Sequence, residues 1–215
     1  MAVADRVAPE IPGRRERRKA ETRGRLLEAA RALFVSHGYD ATRPQDIARA
    51  ADVAIGTFYV HFPDKRAAFV AFTEAAAHEL MESVRMRVAD AAGFETRLLR
   101  SLEAIIAYSD AHPGVLAAAF ADEAVLAADS APGPSLRDHL AQSLSKGLRD
   151  GMRRRELRRD YDPTVIAYAI VGLLQQGLRY GSHGGVSRET LLANLVRFCA
   201  RALVEPRVRA RKESP

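Results

Sequence analysis

The chain has 215 residues, 47% of them hydrophobic and 28% charged, with 33 Lys and Arg against 27 Asp and Glu and a formal charge of +6. That much apolar material can bury a sizeable core, which excludes a wholly disordered chain, and the length suits one large domain or two small ones. The single cysteine, Cys199, excludes an intrachain disulfide and a multi-cysteine zinc site, and no apolar run reaches the ~18–20 residues of a membrane helix. With no hydrophobic signal core at its start either, the sequence reads as a cytoplasmic protein with no membrane partner.

The charge is uneven. Residues 1–66 carry 13 basic and 9 acidic side chains, a net of +4, whereas residues 67–215 carry 20 and 18, a net of +2. Basic density peaks at Arg14, Arg15, Arg17, Arg18, Lys19, Arg23 and Arg25. Such a run is either a solvated tail or an arm reaching along a phosphate backbone or into a minor groove.

Period-2 alternation is missing and Ala, Leu, Arg and Glu are abundant, so the fold class is all-α, with about nine helices. In chain order, Leu26, Leu27, Ala30, Leu33 and Phe34 mark a first amphipathic helix that Gly38 is expected to stop as a left-handed cap. Two short helices lie between Thr42 and His61. A long helix is expected from Asp64, as N-cap, to Ala89, then one over Glu95–Ala111, broken by His112-Pro113-Gly114. Short apolar runs (Val115–Leu126) lead to a Pro/Gly/Ser stretch, Ser130–Ser135. A helix over Leu136–Arg154 and a basic connector, Arg153–Arg159, follow. Asp162 and Pro163 suit the N-cap and N1 of a helix to Tyr180. Gly181–Gly185 reads as a loop, Ser187 as the last cap, and Pro206 as its end. Residues 1–13 and 206–215 are expected to be disordered tails, 14–66 a separate basic head, and 67–205 a helical body.

The informative stretch is residues 42–66, TRPQDIARAADVAIGTFYVHFPDKR. Thr42 and Gln45 have the spacing of a capping box, and Pro44 in the first turn costs no hydrogen bond. Ile47, Ala48 and Ala51 give the first short helix an apolar edge. An interruption at Ala50–Val53 precedes the second, from about Ala54 to His61. Ile47, Val53 and Phe58 can then share one small core, the arithmetic of a helix-turn-helix. Two short helices also occur in proteins that bind no DNA. Here Thr42, Thr57, Tyr59, His61 and Lys65 supply the donors that grip phosphate oxygens.

Residues 22–70 resemble the DNA-binding domain of the tetracycline-repressor (TetR) family. The resemblance rests on Phe34-x-x-x-Gly38-Tyr39, Thr42-x-x-x-x-Ile47-Ala48, Val53, Gly56-Thr57-Phe58-Tyr59-x-His61-Phe62 and Asp64-Lys65, over about a quarter of the chain. It implies that Thr42, Tyr59, His61 and Lys65 bond phosphates of a double-stranded operator. Ile55, Gly56 and Thr57 would face base edges, with Arg43 and Gln45 adding contacts and Phe58 and Phe62 packing. Two residues depart from the family pattern: Asp52 stands where its turn commonly has Gly, and Ala54 where Ser or Thr commonly caps. Asp tolerates the left-handed turn, whereas losing the cap costs about 1 kcal/mol.

A head of this size leaves about 140 residues over. The resemblance implies that they make a homodimer and hold a small-molecule inducer, with the long fourth helix coupling the two parts. Val165, Ile166, Ala169, Ile170, Leu173, Leu174 and Leu178, with Gly172 and Gly177 allowing close approach, form one apolar face. Leu191, Leu192, Leu195, Val196, Phe198, Cys199, Ala202 and Leu203 form another. Two such helices either finish the core or build a two-fold interface, and the resemblance favours the interface. Candidate pocket residues interrupt apolar faces: His78, Met81, Tyr108, His112, Phe120, His139, Tyr168, Gln175 and Gln176. Glu74, His78 and Glu82 share a helix face but read as solvated, and Cys199 reads as a small buried hydrophobe. No metal or cofactor is expected. An enzyme finds no motif, and a helical adaptor remains the alternative; a steep salt dependence on duplex DNA separates the readings.

Overall fold

The computed structural model describes residues 13–121, 135–182 and 186–204. Nine α-helices lie among the described residues, and the one β pairing there is an isolated antiparallel bridge between Leu157 and Val204. The chain divides between Phe72 and Thr73 into two compact units.

The first unit is built by α1 (Arg14–Ala41), α2 (Pro44–Ala50), α3 (Ile55–His61) and the start of α4 (Lys65–Val88). Gly13 donates its N–H to the Glu16 carboxylate at 2.9 Å, which starts α1. The basic run is therefore neither tail nor extended arm: it is helix. Burial begins at Leu26 and recurs at Ala29, Ala30 and Phe34, the helical spacing of a core-facing stripe. Gly38 does not end α1 as expected. It takes φ 78°, ψ 173°, outside both helical wells, and the chain regains a turn to Ala41. Only glycine adopts that conformation readily.

The expected Thr42–Gln45 capping box is absent. Arg43 is the N-cap of α2, and the Thr42 hydroxyl instead donates to the Gly38 carbonyl at 2.7 Å. The kink frees that carbonyl and places it within reach, so Thr42 closes α1 rather than opening α2. Asp52 adopts the left-handed conformation expected of it (φ 53°), and Val53 donates to the Ala48 carbonyl. Ala54 occupies the N-cap of α3 with no side-chain cap bond. The Asp64 carboxylate accepts the Ala67 N–H at 2.7 Å, capping α4 as its sequence position suggests. Phe34, Phe69 and Phe72 pack around one another at 5.1–5.9 Å.

The second unit holds the rest of α4 with α5 (Phe94–Ala111), α6 (Val115–Ala121), α7 (Leu136–Arg153), α8 (Pro163–Ser182) and α9 (Arg188–Leu203). The caps follow the sequence: Ser135 accepts the Asp138 N–H, Asp162 those of Thr164 and Val165, and Ser187 that of Thr190. Helix α8 runs two residues past Tyr180, so Gly181 is helical rather than looped. A Cβ at Gly181 would stand 2.6 Å from Leu191, so the glycine sets the close approach of α8 to α9. The expectations for the tails before Gly13 and after residue 205, and for the runs 122–126 and 130–134, lie outside the described residues. A core of Leu98, Leu102, Leu148, Ile170, Leu174, Leu195, Cys199 and others joins α5, α7, α8 and α9.

Candidate nucleic-acid interface

Helices α2 and α3 meet over a small apolar seam. Ile47, Ala48 and Ala51 bury against Phe58 and Phe62, all at 5% exposure or less. Burying Phe58 fixes the rotation of α3. At 100° per residue, the opposite face then carries Gly56 and Val60, flanked by Thr57 and Tyr59, with Ile55 exposed in the first turn on the Tyr59 side. Val60 is 70% exposed, Tyr59 50% and Ile55 39%. An open hollow beside this face is lined by Gln45, Ala48 and Arg49 of α2 and by Asp52–Ile55 of the turn.

The residues expected to touch DNA fall into two groups. Arg43, Gln45, Ile55, Gly56 and Tyr59 are exposed, with Gln45 and Ile55 on the same hollow, and Thr57 is half-buried. Thr42 is buried, and its one hydroxyl hydrogen is committed to Gly38. Lys65 donates to the carbonyls of Tyr39 and Asp40 at 2.9 and 3.4 Å, and its ammonium sits 4.1 Å above the Tyr39 ring. It thus neutralises the carbonyl end of α1, a role that sequence position alone does not suggest.

His61, the last residue of α3, is half-buried, and its Nδ1 is buried with no hydrogen-bond partner. Burial holds its pKa below the ordinary imidazole value, and the nearby positive charges of Lys19 and Arg23 depress it further. Sequence reasoning misses Val60 and Arg49. Val60 is the unassigned position in Tyr59-x-His61, at the centre of the outward face of α3. The Arg49 side chain is 81% exposed at the rim of the hollow, 3.4 Å from Asp46.

In the second unit, the nine candidate pocket residues separate. Tyr108 and His112 pair at the end of α5, rings 4.5 Å apart, and the Tyr108 hydroxyl donates to Glu79 at 2.8 Å. His139, Tyr168 and Gln175 lie along the α7–α8 seam. There Tyr168 donates to Asp138 at 2.6 Å, Gln175 accepts from Arg137 at 3.2 Å, and His139 Nδ1 is 3.0 Å from the Ser135 carbonyl. Burial opposes ionisation of Asp138, but the bonds from Tyr168 and Ser135 outweigh it and hold the carboxyl below its usual range. Met81 and Phe120 are half-buried, whereas His78 and Gln176 are exposed. No group of three or more metal-ligating side chains occurs among the described residues, so Glu74, His78 and Glu82 do not form one.

Only part of the two apolar faces finishes the core. Ile170, Leu174, Leu192, Leu195, Cys199 and Leu203 finish the core. Val165 (66% exposed), Tyr180 and Phe198 (64%) stay outside it. Cys199 is buried, which pushes its thiol pKa up. No helix among the described residues is long and apolar enough to cross a membrane.

Comparison with known proteins places the first unit. The family model described as "Bacterial regulatory proteins, tetR family" matches residues 26–72. The HTH-type transcriptional regulator TcmR of Streptomyces glaucescens is 40% identical over 60 residues, which is 28% of this chain and 26% of that protein. The chain thus spans about a quarter of the TcmR length. The HTH-type transcriptional repressor DhaR of Mycobacterium sp. (strain GP1) is 26% identical over 159 residues, covering 73% of this chain and 80% of DhaR. A structure from Shewanella sp. PV-4 assigned to the tetR family superposes with a TM-score of 0.69 at 21% identity, over 86% of this chain and 98% of that one. That likeness extends the shared fold to the body.

Proposed function

Because residues 26–72 match the tetR-family model and the chain shares the fold of a tetR-family structure, we propose that it is a DNA-binding regulator of that family, a homodimeric repressor released from its operator by a small molecule. The observation that carries this reading is the outward face of α3. Gly56, Tyr59 and Val60, with Ile55 in the first turn, form a narrow ridge, and Gln45 and Arg49 of α2 border the hollow beside Ile55. A ridge of that width enters a major groove. The methyl groups of Ile55 and Val60 suit thymine methyls, and Gln45 can pair bidentately with adenine. Tyr59 and His61 at its flanks suit phosphate oxygens, whereas Thr42 and Lys65 hold the frame from within.

The exposed apolar residues of α8 and α9 support a dimer. Val165 and Phe198 would be covered by a second copy, and two recognition helices would then span successive grooves, roughly 34 Å apart or more. An inducer that binds the body better in its non-DNA-binding arrangement shifts the population and empties the operator. The polar residues on the α7–α8 seam, Tyr168 and Gln175 with Arg137 and Asp138, are the groups through which the body would orient it.

The test is selection of duplexes from a randomised library by the full-length protein. The expected product is an inverted repeat that Tyr59→Ala and Gln45→Ala bind less tightly, on a protein that sediments as a dimer and becomes a monomer in Val165→Glu/Phe198→Glu. Recovery of no enriched duplex, or binding untouched by both head substitutions, would sink this reading.

A further inference from the structure

The basic run at the start of α1 lies outside the ridge of α3 and its α2 neighbours. A pitch of 3.6 residues puts Arg15, Lys19 and Arg23 on one stripe, and the same stripe continues into Leu26, Ala30 and Phe34, which bury in the core. The head core therefore fixes the direction in which these cations project. Residues 13–21 are all exposed, so about 12 Å of helix stands clear before the first half-buried residue.

The near end of this stripe meets the end of the recognition helix. The Arg23 guanidinium lies 5.0 Å above the ring of Phe62, the residue after His61. Lys19, one turn earlier, also acts on His61 electrostatically. Neither Lys19 nor Arg23 has a carboxylate partner among the described residues, and His61 Nδ1 is buried without a hydrogen-bond partner. Lys19 and Arg23 thus lie near the end of α3 with no carboxylate counterion among the described residues, an arrangement that an arriving anion relieves.

We propose that α1 carries a second DNA surface, in which Arg15, Lys19 and Arg23, with His61 at the end of α3, grip the phosphate backbone beside the groove that α3 reads. The proposal rests on the DNA-binding reading of the head and adds a backbone clamp to it. A row of cations spaced about 6 Å apart along a helix suits a polyanion rather than one free ion. The first turns of α1 offer no large apolar side chain to insert into a bilayer, so a duplex fits better than a lipid surface.

The experiment compares the full-length wild type with Arg15→Gln/Lys19→Gln on a duplex selected from the randomised library, across a salt series. This variant leaves Arg23 on Phe62, and both substituted residues are exposed, so its melting temperature should match the wild type. The slope of log affinity against log salt is expected to shallow by about 0.9 for each phosphate that is no longer neutralised, near two per protomer. Affinity at physiological salt should fall about tenfold or more, while preference for the selected duplex over a scrambled one is unchanged, because phosphate bonds carry no sequence information. A wild type that binds no duplex overturns the DNA-binding reading itself. A wild type that binds, with a variant of unaltered slope, overturns the clamp alone.

Discussion

The two units solve the packing problem with different side chains. The head fills its core with Phe34, Phe58, Phe62, Phe69 and Phe72, whereas the fully buried large residues of the body are Leu80, Leu102, Leu136, Leu148 and Leu157. A small unit has little interior, so it gains most from rings that each bury 150–250 Å² or so. The body has five further helices to interleave and can use aliphatic residues. Its seams also carry polar bonds: Ser145 and Thr164 share a contact at 3.2 Å, and Arg149 donates to both. Interlocked rings give the head one arrangement, as a surface that must match a groove requires. Under the proposed function, the hydrogen-bonded seams of the body are what an inducer would re-partner.

The largest expected effect breaks this comparison directly. Phe58→Ala should destabilise the head by about 3–5 kcal/mol and abolish operator binding, since Phe58 sets the rotation of α3. Leu148→Ala should cost the body about 2–5 kcal/mol and leave a head that still binds. Urea unfolding with duplex binding on both variants checks this, and a binding-competent Phe58→Ala protein would refute the account of the head.

A smaller effect sharpens it. Ala54 already has N-cap geometry (φ −65°, ψ 146°) without a capping oxygen. Ala54→Ser should therefore stabilise the head by about 1 kcal/mol, seen as a higher melting temperature. No rise would mean that the amides of the α3 start are already satisfied.

The smallest effect concerns pH. The His61 pKa is lowered in the folded head by burial and by Lys19 and Arg23, relative to 6.5 for the unfolded chain. The unfolded state thus binds the proton more readily, so stability is intact above pH 6.5 and declines as pH falls below it. His61→Gln should flatten that slope in thermal melts between roughly pH 7 and 5. A slope that survives the substitution assigns the effect to another group.

Much of the fold is legible because it is local. Asp64, Asp162-Pro163 and Ser187 start their helices where cap chemistry puts them, and Asp52 takes the left-handed turn. The candidate site is legible in part. Gly56 and Tyr59 are exposed as the helix-turn-helix spacing implies, but Thr42 and Lys65 carry the same chemistry on paper and turn inward. Their partners are backbone carbonyls, of Gly38 for one and of Tyr39 and Asp40 for the other, and no side-chain pattern marks these. Val60 escapes notice because a valine between two polar residues looks like packing until the rotation of α3 is known.

The sequence by itself determined an all-α chain, the position of its helix-turn-helix and the family it resembles, because periodicity, caps and short motifs act over a few residues. Tertiary structure alone decided which donors remain free. It turned a run of seven basic residues into an exposed helical row, set Arg23 over Phe62, and divided the apolar faces of α8 and α9 between core and surface. Each of these depends on how a helix is rotated against its neighbours, and that rotation is fixed by the burial of residues far apart in the chain.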